Sequence, residues 1–359
     1  MKILVTGANG FVGKNLCVAL SDHTVYQYDV DTDPSLLDSY CQSADFVFHL
    51  AGVNRPKDQA EFMDGNFGFT KLLLETLKKN GNTCPIVLSS STQVALDNPY
   101  GHSKLAGEEL LRTYATETGA KIFIYRFPNL FGKWCRPNYN SAVATFCHNI
   151  ARELPIIVND PSIELTLAYI DDVVDAFKHA LQDKNVPVIT HNATLGHIVC
   201  LLESFRDSRT TLSTPELSEP FVKKLHATYL SYLPEDKFSY PLKMNVDSRG
   251  SFSEILRTQH HGQFSVNITK PNITKGNHWH QTKNEKFLVV SGKGVVRFRH
   301  IGCDKIIEYF VSGDKLEVVD IPPGYTHNIE NLGDVDLVTF MWCNEQFNPE
   351  RPDTIFLEV

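Results

Sequence analysis

Lys2-Ile3-Leu4-Val5-Thr6-Gly7-Ala8-Asn9-Gly10-Phe11-Val12-Gly13 follows the first methionine, and its reading decides the fold of the first half. A short β-branched run leads into glycines spaced G-x-x-G-x-x-G, after which apolar residues recur at helical intervals. Glycines at this turn let backbone N–H groups approach an anion at the N-terminus of the following helix. Strand, turn and helix agree here, so Gly7, Asn9, Gly10, Phe11, Val12 and Gly13 are expected to cradle the pyrophosphate of a dinucleotide.

Beyond this loop, strand-like runs at 24–29, 45–50, 85–89 and 121–127 alternate with helical stretches at 11–20, 35–41, 59–80 and 100–119. Strands separated by helices predict a doubly wound parallel α/β sheet of Rossmann type. From about Phe238 the texture changes to short strands punctuated by Gly, Pro and Asn, at 263–269, 286–290, 295–300, 306–311, 315–320 and 336–342. That pattern predicts an all-β jelly-roll barrel. Two domains, 1–240 and 241–359, suit a chain of 359 residues, with 232–241 as the linker and 155–240 as a cap over a substrate cleft.

The net charge of −8 argues against a general nucleic-acid surface. The first strand leaves no room for a signal peptide, and no apolar run reaches membrane-spanning length. Eight cysteines without paired spacing suit reduced thiols, so a cytoplasmic location is expected.

Tyr100 and Lys104 stand four apart on a helix that begins after Asn98-Pro99. A lysine there lowers the tyrosine pKa, and the phenol then protonates the alkoxide formed when hydride reaches a ketone. Ser91, ending the preceding strand, is placed to bond the substrate carbonyl, with Ser90 and Thr92 as rival hydroxyls. Asp29 ends the second strand and reads equally as an acceptor for the adenosine ribose diol or as a turn acid beside Asp31 and Asp33.

In these features the first 230 or so residues resemble the extended short-chain dehydrogenase/reductase superfamily. His49-Leu50-Ala51-Gly52, Arg126-Phe127-Pro128-Asn129 and Tyr169-Ile170-Asp171-Asp172 match its further motifs. The resemblance implies a nucleotide-sugar substrate, cofactor contacts from Leu50, Ala51, Gly52 and Lys104, and a substrate contact from Asn129.

In the second half, His278 and His280 alternate on one strand face, Glu285 returns after a turn, and His327 follows Pro322-Pro323-Gly324. Three imidazoles and a carboxylate suit zinc, manganese, iron or nickel, and Zn2+ is the expected ion. The order of these ligands resembles both segments of the cupin superfamily. Asp247-Ser248-Arg249-Gly250-Ser251-Phe252-Ser253-Glu254 resembles the entry segment of nucleotide-sugar 3,5-epimerases that share this barrel. This second resemblance implies substrate contacts from Arg249 and Lys286 and a catalytic base at His278. A metal-bound imidazole has no nitrogen free for that role, so the base is left unassigned. Lys286, Arg297 and Arg299 read equally as a diphosphate cradle or as a solvated basic face.

Taken together, the chain resembles the bifunctional capsular-polysaccharide synthesis enzymes that fuse a reductase to a cupin, carried further by Gly52–Pro56, Phe131–Cys135 and Lys275–His280. That resemblance implies C3 epimerisation of a UDP-4-keto-6-deoxy-N-acetylhexosamine, then C4 reduction to UDP-2-acetamido-2,6-dideoxy-L-talose by a homodimer. It also implies NADPH, whereas Asp29, Asp31 and Asp33 favour NADH unless a cation such as Arg55 reaches in. A plain 4-ketoreductase with a non-catalytic cupin is the alternative reading.

Overall fold

The computed structural model describes residues 1–55, 58–258 and 262–359, so Pro56 of the quoted Gly52–Pro56 stretch lies outside the described residues. The chain divides into two compact units, Met1–Glu203 with Ser218–Pro234, and Ser204–Leu217 with Glu235–Val359.

In the first unit, β1 (Lys2–Thr6), α1 (Phe11–Ala19), β2 (Thr24–Tyr28), α2 (Leu36–Ser43) and β3 (Phe46–His49) follow the expected alternation. Next come α3 (Ala60–Phe62), a π-helical turn at Met63–Gly68, α4 (Phe69–Lys79), β4 (Ile86–Ser91), α5 (Pro99–Thr118) and β5 (Ile122–Phe127). The five strands form one parallel sheet in the order β2-β1-β3-β4-β5. Alternation along each strand feeds two cores, because a parallel sheet is covered on both faces. Ile3, Val5, Phe46, Phe48 and Val87 pack on one side, and Leu4, Val47, Ile86 and Leu88 on the other.

After β5 come β6 (Asn129–Phe131) and α6 (Ala142–Ile150), and the 155–240 stretch expected as a cap holds β7 (Glu164–Tyr169), α7 (Ile170–Leu181), β8 (Thr190–Thr194), α8 (Leu195–Thr211) and α9 (Pro220–Leu230). Strands β6, β7 and β8 form a small separate sheet.

The second unit contains β9 (Asn245–Asp247), β10 (Gly250–Thr258), β11 (Gly262–Thr269), β12 (Thr274–Trp279), β13 (Glu285–Ser291) and β14 (Lys293–His300). It continues through β15 (Ile306–Ser312), β16 (Val318–Ile321), β17 (Tyr325–Asn331), β18 (Leu337–Cys343) and β19 (Ile355–Phe356). Two antiparallel sheets result, ordered β16-β13-β18-β11-β10-β9 and β15-β14-β17-β12-β19. Phe287, Val289 and Val319 from one sheet share a core with Val296, Phe298 and Ile329 from the other. The 204–217 segment is fastened to this unit by backbone bonds from Arg257 N–H to Leu212 and from Thr214 N–H to Arg257, both 2.7 Å.

Candidate functional sites

The parallel sheet reverses its winding between β1 and β3, which is where open α/β sheets bind ligands at their C-terminal ends. The glycine loop leaves β1 there. Gly7 has φ +71°, and a Cβ on it would lie 2.6 Å from the Ala51 nitrogen, so the turn and the Leu50-Ala51-Gly52 segment close on each other only with glycine. Gly10 precedes α1 with no side chain capping the helix, which leaves its first amides, from Phe11 and Val12 onward, for a ligand. Gly13 sits a turn later against the Gly7 carbonyl. Asn9 is fixed from below: its N–H donates to Asp29 Oδ2 at 2.7 Å, and its amide donates to Asp31 at 3.1 Å.

Asn98 caps α5 by accepting from the Gly101 N–H at 2.7 Å, with Pro99 in the first turn. That start sets Tyr100 and Lys104 on the helix side facing the end of β4. The Tyr100 phenol is hydrogen-bonded to Ser91. The rival hydroxyls are engaged elsewhere, Ser90 donating to Glu108 at 2.6 Å and Thr92 to the Phe127 carbonyl at 3.4 Å. Lys104 Nζ donates to the Ser89 carbonyl at 3.1 Å and lies close under Gly52.

The expected effect of Lys104 on Tyr100 is corrected. Burial raises the phenol, and the Ser91 bond partly offsets it, while burial brings the Lys104 ammonium down to about 8. The lysine is itself the perturbed member, because it gives up water for one carbonyl. Asn66, unremarked in the sequence, proves central to this corner. It bonds Val53 through both its N–H and its carbonyl at 3.0 Å, and Ser103 at 2.9 Å, from within the π-helical turn. His49 is neutral and structural, bridging the Thr6 and Thr70 hydroxyls at 2.7 Å each. Asn129 stands exposed at the start of β6, donating to the Thr166 carbonyl at 3.4 Å.

In the second unit, His278, His280, Glu285 and His327 each offer a ligand atom, all within 4.8 Å of one another. His327 pairs with His278 across β17 and β12. A bulge after Gly276 (φ +109°) and Asn277 (φ +57°) turns His278 into this register, and His280 follows just past the strand end. A Cβ at Gly276 would lie 2.8 Å from the His327 carbonyl, so glycine is required at the bulge.

His280 bonds the Asp353 backbone carbonyl through Nδ1, which leaves Nε2 as a lone-pair donor toward the cluster. The Asp353 carboxylate accepts the backbone N–H groups of Gln281, Thr282 and Lys283 at 2.8–3.1 Å and so fixes the turn between the ligands. Burial, with His327 and His280 alongside, brings His278 down to about 4, so its ring is neutral. Although burial alone raises Glu285, the two imidazoles and the Lys283 ammonium hold it well below the carboxylate range.

His280 Nε2, Glu285 Oε2 and both nitrogens of His327 are buried without a hydrogen-bond partner. Glu285 Oε2 lies only 3.6 and 3.4 Å from His280 Nε2 and His327 Nε2. Converging orphan lone pairs of this kind fit a divalent transition metal, with three nitrogens and one oxygen as donors.

The cluster opens into a cavity of 910 Å³ that is lined by Glu254, Arg257, Lys275, Lys283 and Trp342 among others, and walled in part by Thr210–Ser213. Lys286 is not in it. It neighbours Glu285 on β13, so strand alternation turns it away, where it pairs with Asp320. The lysine beside the candidate ligands is Lys283, 3.2 Å from Glu285 Oε1. Lys283 stands in the turn before β13, which carries it to the Glu285 side of the cluster.

Arg249 is likewise absent from the cavity lining, held by Asp247 at 2.7 Å. The diphosphate-cradle reading of the other two arginines is corrected too. Arg297 is committed to Glu308 and Glu330, and Arg299 to the carbonyls of Cys303 and Glu358.

A model of the NAD dependent epimerase/dehydratase family matches residues 3–192, and one of the polysaccharide biosynthesis C-terminal domain matches residues 245–355. The chain belongs to the NAD dependent epimerase/dehydratase family and carries that C-terminal domain after it. Among solved structures it is similar to the capsular polysaccharide assembling protein CapF from Staphylococcus aureus, with 58% identity, full coverage of both chains and a TM-score of 0.95. It is also 45% identical, over all of its length and 99% of the relative's, to UDP-2-acetamido-2,6-beta-L-arabino-hexul-4-ose reductase from Pseudomonas aeruginosa. UDP-glucuronic acid 4-epimerase from Bacillus cereus shares the fold over 65% of this chain and 96% of its own, at 22% identity and a TM-score of 0.54.

Proposed function

We propose that this chain converts a UDP-4-keto-6-deoxy-N-acetylhexosamine in two steps, C3 epimerisation in the barrel and then C4 reduction in the first unit. The product is UDP-2-acetamido-2,6-dideoxy-L-talose, on the route to N-acetyl-L-fucosamine in capsule polysaccharide. The observation that carries the reading is a chain holding both a Ser91–Tyr100–Lys104 set beside a dinucleotide loop and a converged His278–His280–Glu285–His327 cluster in a cavity. Similarity to a UDP-keto-sugar reductase along the whole chain supports the substrate class.

Chemistry sets the order. A C3 proton is acidic only while C4 is a ketone, because the ketone delocalises the carbanion as an enolate. Reduction removes that acidity, so epimerisation comes first. In the reductase site, a reduced nicotinamide held beside the glycine loop would supply hydride to C4. Ser91 and Tyr100 hold the ketone oxygen, and the Tyr100 phenol gives its proton to the alkoxide as it forms. Lys104 fixes the floor of the site through Ser89. In the barrel, His278, His280, Glu285 and His327 would hold Zn2+, which would supply a Lewis acid for a carbonyl oxygen. Glu285, His278 and His327 orient that position, and Lys283 adds positive charge where an enolate oxygen accumulates negative charge.

The test is NMR of the 4-keto sugar with full-length protein in deuterated water, without nicotinamide. Deuterium entering C3 supports the order above. No exchange, with normal ketone reduction once cofactor is added, would leave a 4-ketoreductase whose barrel binds but does not catalyse.

A further inference from the structure

We propose that residues 353–358 form a latch on the histidine and glutamate cluster of the barrel, with Asp353 as the positioning residue that decides how firmly a metal ion is held. The inference rests on reading that cluster as a metal site. His278, Glu285 and His327 lie within β12, β13 and β17, whose ladders fix them. His280 lies just past the end of β12. Its backbone carbonyl accepts the Gly324 N–H at 3.0 Å, but its ring is oriented by Asp353, whose backbone carbonyl accepts from Nδ1. The Asp353 carboxylate then accepts the N–H groups of Gln281, Thr282 and Lys283 at 2.8–3.1 Å and the Thr282 hydroxyl at 3.2 Å. One residue therefore fixes both the His280 ring and the turn that leads to Glu285.

The contacts continue along the segment. Phe356 pairs with His278 and Ile355 with Trp279, in antiparallel register with β12. The Leu357 N–H donates at 3.0 Å to the carbonyl of Asn277, inside the bulge that turns His278 into place. The Leu357 carbonyl accepts from the hydroxyl of Thr326, the neighbour of His327. Arg299 fastens the far end by donating to the Glu358 carbonyl. Every imidazole of the cluster is thus held by this segment, directly or through its neighbour in the chain.

What fastens the segment is polar. Ile355 and Phe356 are 37% and 74% exposed, whereas His280 and His327 are buried. A segment attached by hydrogen bonds near solvent, with little apolar burial, opens locally at lower cost than the core of its domain. On opening, His280 loses the acceptor that sets its tautomer and ring orientation, and an ion is left with three well-held protein ligands. Opening of the latch therefore governs how fast the ion leaves.

The experiment loads full-length protein with Zn2+ alone and measures affinity and release by competition with a chromophoric chelator. It is repeated with Co2+, whose visible absorption reports coordination number. Asp353→Ala keeps the backbone carbonyl but frees the turn, and should weaken Zn2+ binding by about 10-fold or more. Its Co2+ absorption should fall as His280 gives way to water, a change that a loss of barrel stability does not produce. Asp353→Asn keeps one acceptor for the turn and should recover part of both effects. Arg299→Met loosens the far end without touching the cluster, so loading and release should both quicken several-fold with affinity nearly unchanged. Wild-type affinity, release rate and Co2+ spectrum in Asp353→Ala and Arg299→Met would overturn the latch and leave the metal reading standing. Failure of the wild type to bind either ion would overturn the metal reading itself. Should Asp353→Ala not fold, the release rate of Arg299→Met decides the matter.

Discussion

Replacing Lys104 with methionine should make the first unit more stable at neutral pH while ending ketone reduction. Burial takes the Lys104 ammonium from its usual 10.5 down to about 8, and among the described residues its polar compensation is a 3.1 Å bond to the Ser89 carbonyl. At about 1.4 kcal/mol per pKa unit, that lowering corresponds to roughly 3 kcal/mol of destabilisation in the charged form. Methionine fills the same channel without charge, but forfeits a charge-assisted hydrogen bond of about 1.5 kcal/mol. The net gain at pH 7 is therefore about 1.5 kcal/mol.

The pH dependence has a definite sign. Between about 8 and 10.5 the unfolded chain binds more protons at this lysine than the folded one, so wild-type stability rises with pH through that window. The variant lacks this term, and its advantage shrinks above pH 8 and is gone by about 10.5. Because two units preclude a single global transition, the assay is hydrogen exchange of the β4 amides in both proteins at pH 7 and pH 9.5. A methionine variant no more stable than wild type at pH 7 would refute the reasoning, as would an advantage that persists unchanged at pH 9.5.

Tyr100→Phe should lower kcat for ketone reduction by about 100-fold or more with cofactor affinity unchanged, and a fall under threefold would remove the phenol as proton donor. Lys283→Gln should weaken metal binding about 10-fold or more, read by competition with a chromophoric chelator, because Glu285 loses the cation fixing its second oxygen. An affinity equal to wild type would show that Lys283 does not position Glu285. Gly276→Ala should destabilise the barrel by about 2 kcal/mol and lower its metal content, since the added Cβ meets the His327 carbonyl at 2.8 Å on a φ of +109°. Unchanged melting and metal content would mean the bulge accommodates alanine.

The parallel sheet was legible because its strands are buried on both faces and are separated by helices with clear turn signals. The convergence of the four candidate ligands was legible because imidazoles and a carboxylate in that order have little other reason to sit together in a barrel. What stayed hidden follows from longer-range physics. The 204–217 segment packs with the second unit through backbone bonds to Arg257, which no local period reports. The π-helical turn at Met63–Gly68 looks like ordinary helix in sequence, yet it presents Asn66 to Val53 and Ser103. Lys286 was placed by resemblance, whereas the alternation of β13 turns it away from the face that Glu285 presents, and Lys283 comes from the turn before the strand. Asp353 gave no signal at all, because its carbonyl acts on His280 and its carboxylate on the turn from far along the chain.

The two sites differ in what they lack without ligands, and the difference bears on the role of the barrel. In the reductase corner, Ser91 bonds Tyr100, Lys104 bonds Ser89, and Asp29 and Asp31 bond Asn9, so each of these side chains has at least one partner. In the barrel, nitrogens of His280 and His327 and one oxygen of Glu285 are buried and unpaired. Each such group costs about 1–3 kcal/mol, which is large against the stability of a domain of this size. A barrel retained only for packing would be better served by apolar residues of the same volume, as buried charge networks generally are. Tolerating that cost beside an open 910 Å³ cavity makes sense when a cation repays it and the cavity admits what the cation acts upon.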